Sequence, residues 1–277
     1  MVMRRIVFFD IDGTLVTRNN HIPKSTVKAI TALKQRNTIP VLATGRPPVL
    51  IEEIAEELKI DSYIAMNGQY IVYEGKVIYA NPIDTHLVDA MVEIATAKQD
   101  GILLSTSDEL IANSLISLVN RDSLYPFLKG FVGLIPDRLQ ASLLNRLMKK
   151  VPKKEEYKNK EIYMININGG QEKEWEYERV FGKYLTFTRA NEMTMDIINK
   201  GVSKATGAQQ MIKQLNIARS NTYAFGDGLN DLEMIELVGT GVAMANGFQG
   251  LKATADFVTA SAFDDGNFKG LKELKLI

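Results

Sequence analysis

Ile6-Val7-Phe8-Phe9-Asp10-Ile11-Asp12-Gly13-Thr14-Leu15 decides how this chain is read. Four apolar residues run straight into a carboxylate, and a second carboxylate follows two positions on, ahead of a glycine. An apolar run this short and unbroken predicts a strand buried on both faces. Gly13 lets the chain turn sharply at its end. Asp10 and Asp12 then stand at the carboxyl end of a buried parallel strand, where open α/β sheets place their ligands. Two acids so close in sequence repel unless something positive lies between them. A hard cation such as Mg²⁺, held by few carboxylates and sharing phosphate oxygens, meets that need. An EF-hand calcium loop does not fit, because its sixth position requires glycine and here it is Leu15.

Outward from this stretch, the chain alternates. Pro23, Ser25 and Thr26 start a helix that runs to about Asn37. Ile39 to Ala43 is a second strand, ending in Thr44-Gly45-Arg46. Pro47 and Pro48 suit the first turn of the next helix, whose apolar stripe is Leu50, Ile54 and Leu58. Tyr63 to Met66 is a third strand running into Asn67-Gly68, and Tyr70 to Tyr79 is a hairpin turning at Glu74-Gly75. Strand, helix, strand, helix, strand predicts a parallel sheet.

From Asn81-Pro82 to about Ala190 the tidy alternation is lost. Leu87, Met91 and Ile94 mark a helix. Ile102 to Ser105 and Leu110 to Ala112 read as strands, and Leu139, Leu143 and Leu147 mark another helix. Lys149 to Lys160 is charge-rich and reads as a solvated loop. A strand over Ile162 to Ile167 and a helix over Glu172 to Val180 follow, then strands over Tyr184 to Thr188 and Met193 to Ile198. After Gly201 the alternation resumes: a helix from about Ser203 to Leu215, a strand from Thr222 to Phe225, the turn Gly226-Asp227-Gly228-Leu229-Asn230-Asp231, a further helix, and strands at Val242 to Met244 and Phe257 to Thr259. The expected architecture is α/β, a Rossmann-like doubly wound parallel-sheet core over 1–82 and 190–277 with an α+β domain, 83–189, inserted in it.

Composition removes several classes of function. Lys+Arg and Asp+Glu are both 33, so no global basic field exists to hold nucleic acid or an anionic membrane. With no cysteine there are no disulfides, thiolate nucleophiles or cysteine zinc sites. His21 and His86 are the only histidines, little material for histidine-based chemistry. The apolar run after the basic start stops at Asp10, too short for a signal peptide, and nothing later approaches a membrane span, so a cytoplasmic location is expected. At 277 residues and 45% hydrophobic, the chain has a full core.

Three further loops accompany the first. Thr44 offers a hydroxyl and Gly45 an uncovered amide, which suits an anionic oxygen. Lys204 sits near a helix N-terminus. Asp227 and Asp231 bracket Asn230 just after an apolar strand. A calcium loop fails there too, because Leu229 occupies a ligand position. Singly these have plainer readings: a strand-ending turn, a surface lysine, and a turn rich in Gly and Asn. In a parallel sheet, however, all of them emerge at one edge. Asp10, Asp227 and the backbone carbonyl of Asp12 then could hold Mg²⁺, and Thr44, Lys204 and Asn230 a phosphate. Phosphoryl transfer needs this combination, since its catalysis is mostly positioning and neutralisation of charge.

Four stretches, Asp10-Ile11-Asp12-Gly13-Thr14, Thr44-Gly45-Arg46, Lys204 within Gly201-Val202-Ser203-Lys204, and Gly226 to Asp231, come in the order found in the haloacid dehalogenase-like (HAD) phosphatases. The chain resembles their Cof-type branch, which carries a C2B-type α/β cap between the second and third motifs, where the inserted region falls. The resemblance implies Asp10 as nucleophile, forming an aspartyl-phosphate, and Asp12 as the acid that protonates the leaving oxygen and then activates water. It implies Thr44 and Lys204 as phosphoryl ligands, with Lys204 also steadying Asp10. Asp227 completes the Mg²⁺ site, Asp231 acts through a bound water or from behind the metal ligands, and Asn230 orients the phosphate or its neighbours. Arg46 faces the substrate cleft and Asn67 lies at its rim. Ala205, Met244-Ala245-Asn246-Gly247 and Asp265-Gly266-Asn267 depart from the usual pattern, and none is expected to touch the chemistry.

The function expected is thus a Mg²⁺-dependent phosphatase of small phosphorylated metabolites, a sugar phosphate or similar ester, acting as a monomer or weak homo-oligomer. Two alternatives remain open: a phosphotransferase of the hexose phosphomutase type, and a non-catalytic phosphate-ligand-binding protein. A dehydrogenase is disfavoured, because Gly239-x-Gly241 meets Met244 where the dinucleotide fingerprint needs glycine. Asn113, Arg121, Tyr125 and Phe127 are candidates for substrate choice in the inserted region.

Overall fold

Ile6, Val7, Phe8 and Phe9 are fully buried in β1 (Arg5–Phe9). Each such side chain is worth about 1.5–3 kcal/mol of burial, which makes this strand the anchor of its sheet. In the computed structural model, residues 4–17, 21–111, 152–168, 171–191 and 194–277 are described. Candidates Asn113, Arg121, Tyr125 and Phe127, and the expected helix at Leu139 to Leu147, lie outside them. The chain divides into two compact units: Met1–Arg46, Leu50–Ala80 and Gly201–Ile277 form one, and Pro47–Val49 with Asn81–Lys200 the other.

In the first unit, β1 pairs in parallel with β2 (Thr38–Ala43) on one side and with β11 (Thr222–Gly226) on the other. β3 (Tyr63–Ala65) continues the parallel set beyond β2, and β12 (Thr240–Met244) and β13 (Phe257–Thr259) beyond β11. The hairpin β4 (Tyr70–Tyr73) and β5 (Lys76–Ala80) adds two antiparallel strands, completing the order β13-β12-β11-β1-β2-β3-β4-β5. Its turn holds Glu74 at φ 48° and Gly75 at φ 71°, the left-handed pair that matches strand twist.

Helices cover both faces. Ile6 and Phe8 point to a cluster that includes Ala208 and Met211 of a helix over Lys204–Gln214, Met234 and Ile235 of one over Leu232–Leu237, and Leu251 of one over Gln249–Thr254. On the other face Phe9 stacks on Phe225 with centroids 5.2 Å apart. There a helix over Gly266–Glu273 packs so closely that a Cβ on Gly270 would sit 2.8 Å from the Phe225 ring. The expected single helix after Pro48 is two pieces, a 3₁₀ turn at Pro48–Leu50 and an α-helix at Glu52–Leu58.

The second unit is a five-stranded antiparallel sheet, β7-β6-β8-β10-β9, formed by β6 (Ile102–Ser105), β7 (Leu110–Ile111), β8 (Met164–Asn168), β9 (Leu185–Asn191) and β10 (Thr194–Asn199). Helices over Thr85–Lys98 and Gln171–Phe181 pack Val88, Met91, Ala95, Tyr177 and Phe181 against Leu104, Ile165, Ile167, Met195 and Ile197. The boundary expected at 190 falls inside the β9–β10 hairpin. The hydrogen-bonded ladder keeps both strands in this sheet, so residues 190–200 belong with the inserted unit. The loop expected up to Lys160 contains one helical turn, Lys154–Tyr157, because buried Tyr157 reaches Asp89 with its hydroxyl at 3.1 Å.

Candidate active site

Asp10 follows β1 directly, and its N–H donates to the Phe225 carbonyl at 2.9 Å, so the last turn of the ladder fixes it beside β11. Asp227 follows β11, and Thr44 follows β2 one strand to the other side. Three of the expected loops therefore meet at the carboxyl edge of the parallel sheet, as strand order dictates.

Lys204 arrives from the helix N-terminus, where Ser203 caps the first turn by accepting from Thr206 N–H. Its ammonium donates to Asp10 Oδ1 at 2.6 Å and to Asp231 Oδ1 at 2.7 Å. All three groups are buried: Lys204 is 1% exposed, Asp10 6% and Asp231 0%. Asp231 Oδ2 accepts the backbone N–H of Asp227 and of Gly228 at 3.1 and 2.9 Å. Both Asp231 oxygens are thus engaged, and its work is to hold Lys204 and shape the turn. Asp10 Oδ2 receives no hydrogen bond from the described residues.

Burial, and next the charge of Asp231, push Asp10 well above the usual carboxylate range, against the pull of Lys204. Asp227 is raised to about 6, by burial first and by Asp231 second. Burial on its own would lower the Lys204 ammonium, but Asp10 and Asp231 more than offset it and hold it above its ordinary value. Oxygens of Asp10, Asp227 and Asp231 all lie within 4.8 Å of one another. Hard oxygen donors that repel one another at this spacing fit a small divalent cation. Since Asp231 is committed to Lys204 and two amides, Asp10 and Asp227 are the ones with capacity to ligate.

Asp12 points elsewhere. Its carboxylate, mostly exposed, takes a bidentate ion pair from Arg46, Nε to Oδ2 at 2.8 Å and Nη2 to Oδ1 at 2.5 Å. Arg46 N–H in turn donates to Thr44 Oγ1 at 3.1 Å. Gly45 lies between them in the same turn. Asn67 is buried and left-handed (φ 54°). Its N–H donates to the Thr44 carbonyl, its Oδ1 accepts from Asn230 Nδ2 at 3.3 Å, and its own Nδ2 has no partner. Met66 before it also has a positive φ (49°), so two non-glycine residues of this turn store strain beside the site.

Three residues escaped the sequence reading. Thr14 Oγ1 donates to Asp227 Oδ1 at 3.4 Å. Asn246 Nδ2 donates to the Gly13 carbonyl at 2.8 Å and to Asp227 Oδ2 at 3.1 Å. Asn267 Nδ2 donates to the Thr14 carbonyl at 2.7 Å. The run Met244–Gly247, expected to lie off the chemistry, therefore touches Asp227 through Asn246, whereas Asp265–Asn267 reaches the site only at Thr14, one residue past Gly13. The signal was their place in stretches that match or depart from the family pattern, which does not say what each side chain touches.

No helix among the described residues is long and apolar enough to cross a membrane. A family model of haloacid dehalogenase-like hydrolases matches residues 7–271. The Bacillus subtilis (strain 168) protein named "Putative phosphatase YkrA" is 35% identical over 275 residues, covering 99% of this chain and 98% of that one. A hypothetical protein from Geobacillus kaustophilus HTA426 of known structure superposes with a TM-score of 0.82 at 36% identity, covering 99% of this chain and all of the other. The HAD subclass IIB sugar phosphatase BT4131 superposes with a TM-score of 0.77 at 28% identity, again over 99% of this chain and 100% of that one. By the match across nearly its whole length and by these relatives, the chain belongs to the haloacid dehalogenase-like hydrolase family.

Proposed function

We propose that this protein is a Mg²⁺-dependent phosphatase of small phosphomonoesters, sugar phosphates foremost, working through an aspartyl-phosphate on Asp10. The observation that carries the reading is the buried lysine bridge: Lys204 holds Asp10 by one oxygen and leaves the other open, beside Asp227 at the sheet edge. The kinship with a sugar phosphatase supports the substrate class.

Asp10 and Asp227 would hold Mg²⁺ with the Asp12 carbonyl, and Asp231 would stand behind them, holding Lys204. The cation would supply charge neutralisation for the phosphoryl oxygens. Asp10 Oδ2 attacks phosphorus as the bond to the ester oxygen breaks, and Asp12, protonated from solvent once Arg46 releases it, gives that oxygen its proton. Asp12 then takes a proton from water, whose oxygen attacks phosphorus and frees Asp10 and inorganic phosphate. Lys204 and the Thr44 hydroxyl, with the Gly45 amide, bind the phosphoryl oxygens, and Asn230 orients them. Arg46 holds Asp12 until substrate arrives, and Asn67 lines the leaving-group side. The inserted unit is the proposed source of substrate choice.

Phosphate release from a panel of small esters tests this, with wild type and Asp10→Asn compared in Mg²⁺ and in EDTA. Metal-dependent release that is lost in Asp10→Asn is the expected result. Release that persists in the variant overturns the covalent step, and release in excess EDTA removes the metal.

A further inference from the structure

Asp227 is held from both ends. Thr14 donates to Oδ1 and Asn246 to Oδ2, while its backbone carbonyl accepts from Phe248 N–H at 3.1 Å. Asn246 has no polar atom to spare. Its two Nδ2 hydrogens go to the Gly13 carbonyl and the Asp227 carboxylate, and its Oδ1 accepts the Ala262 N–H at 2.9 Å. That pattern fixes the amide's orientation, since only the nitrogen can face a carbonyl and a carboxylate together. Asn267 extends the brace by holding the carbonyl of Thr14, the residue after Gly13.

The donors are neutral, and this matters. A carboxylate beside a buried ammonium tends to turn toward it, and the field of Lys204 does reach Asp227. Amide and hydroxyl donors can resist that rotation without neutralising the charge a cation needs. Groups behind a metal ligand act in this way, and their loss costs about 10–100-fold in metal affinity or activity.

We propose that Asn246 is a positioning residue for the divalent cation: it aims the Asp227 carboxylate and ties it to the Gly13 carbonyl, with Asn267 steadying the adjoining Thr14. The inference rests on the cation reading given above. Its test is Mn²⁺ titration without substrate, followed by the electron paramagnetic resonance signal of free Mn²⁺, on wild type, Asp227→Asn, Asn246→Ala and Asn246→Ser. Circular dichroism in EDTA checks folding, and the serine variant serves if the alanine one does not fold. Wild type is expected to bind one ion and Asp227→Asn to lose it. Both Asn246 variants should weaken the Kd by about tenfold or more, and KM for substrate at saturating metal should move far less than the metal requirement. Unchanged Mn²⁺ affinity in the Asn246 variants, with binding lost in Asp227→Asn, overturns the role of Asn246 alone. No binding by wild type, or full binding by Asp227→Asn, overturns the cation reading and the inference with it.

Discussion

Replacing Lys204 by methionine keeps the length and most of the volume of the side chain and removes only its charge. At an effective dielectric of about 20, each contact of Lys204, 2.6 and 2.7 Å long, carries an attraction of about 6 kcal/mol. Much of that is offset by burying three charged groups. The net loss expected from leaving buried carboxylates uncompensated is about 3–5 kcal/mol. The sign of its pH dependence follows from Asp10. Burial and Asp231 already raise its folded pKa above the unfolded value, and losing the ammonium raises it further. A carboxyl raised in the folded state favours folding at low pH and loses that advantage as pH rises through the folded pKa. The penalty of Lys204→Met should therefore be largest at pH 8 and shrink toward pH 4.5, where the carboxyls protonate. Urea denaturation of both proteins in EDTA at the two pH values, followed by circular dichroism, measures it. Equal stability at pH 8 would refute the bridge as a net contributor. A penalty that does not change with pH would show that methionine merely packs badly.

Gly13→Ala should cost both stability and metal affinity. Gly13 sits at φ 84°, and a Cβ there would meet Asp227 Oδ2 at 2.1 Å. Backbone strain of about 1–3 kcal/mol adds to displacement of a ligand, so a melting temperature and Mn²⁺ Kd both close to wild type would count against the close approach. Metal affinity should fall with acid, because the proton on Asp227 competes below its pKa of about 6. Calorimetric Mg²⁺ titration should give a Kd that is level above pH 7 and weakens by about tenfold per pH unit below 6; affinity unchanged down to pH 5 would contradict the shift. By the same sign rule, the metal-free protein should lose the contribution of Asp227 to stability as pH rises from 4 to 6. Arg46→Lys replaces a bidentate fork by a point charge, so kcat should fall while Mn²⁺ affinity holds; unchanged kcat would leave the Asp12 pair without a role in turnover.

Parallel order made much of the site legible. Once β1, β2 and β11 were read as buried strands, their following residues Asp10, Thr44 and Asp227 had to meet at one edge, and Lys204 at a nearby helix start could reach them. The short helices over Gln249–Thr254 and Gly266–Glu273 were not read. Six or eight residues give too little periodicity, and Gly266 and Gly270 weaken the stripe. Asn246 was invisible for a different reason. Its partner Gly13 lies 233 positions away, and a single carboxamide carries no pattern until the fold supplies the partner. Asp12 was legible as a site acid, but its resting contact with Arg46 was not, since ion-pair choice depends on rotamers rather than spacing.

The charge held at the site carries a last consequence. With Asp10, Asp227 and Asp231 ionised, Lys204 leaves two negative charges uncompensated, and the Asp12–Arg46 pair adds none. A phosphoryl dianion approaching this edge would be repelled, and burial strengthens the repulsion. A divalent cation cancels the excess and leaves Lys204 free to face phosphate, so the cation should bind first or with the substrate. Calorimetric titration with inorganic phosphate at pH 8 tests the order. Phosphate should bind wild type in Mg²⁺ and fail to bind measurably in EDTA, and Lys204→Met should lose the binding seen in Mg²⁺. Equal phosphate affinity with and without Mg²⁺ would mean that Lys204 and Thr44 suffice to hold the anion, and that the crowded carboxylates of this edge serve the fold rather than the cation.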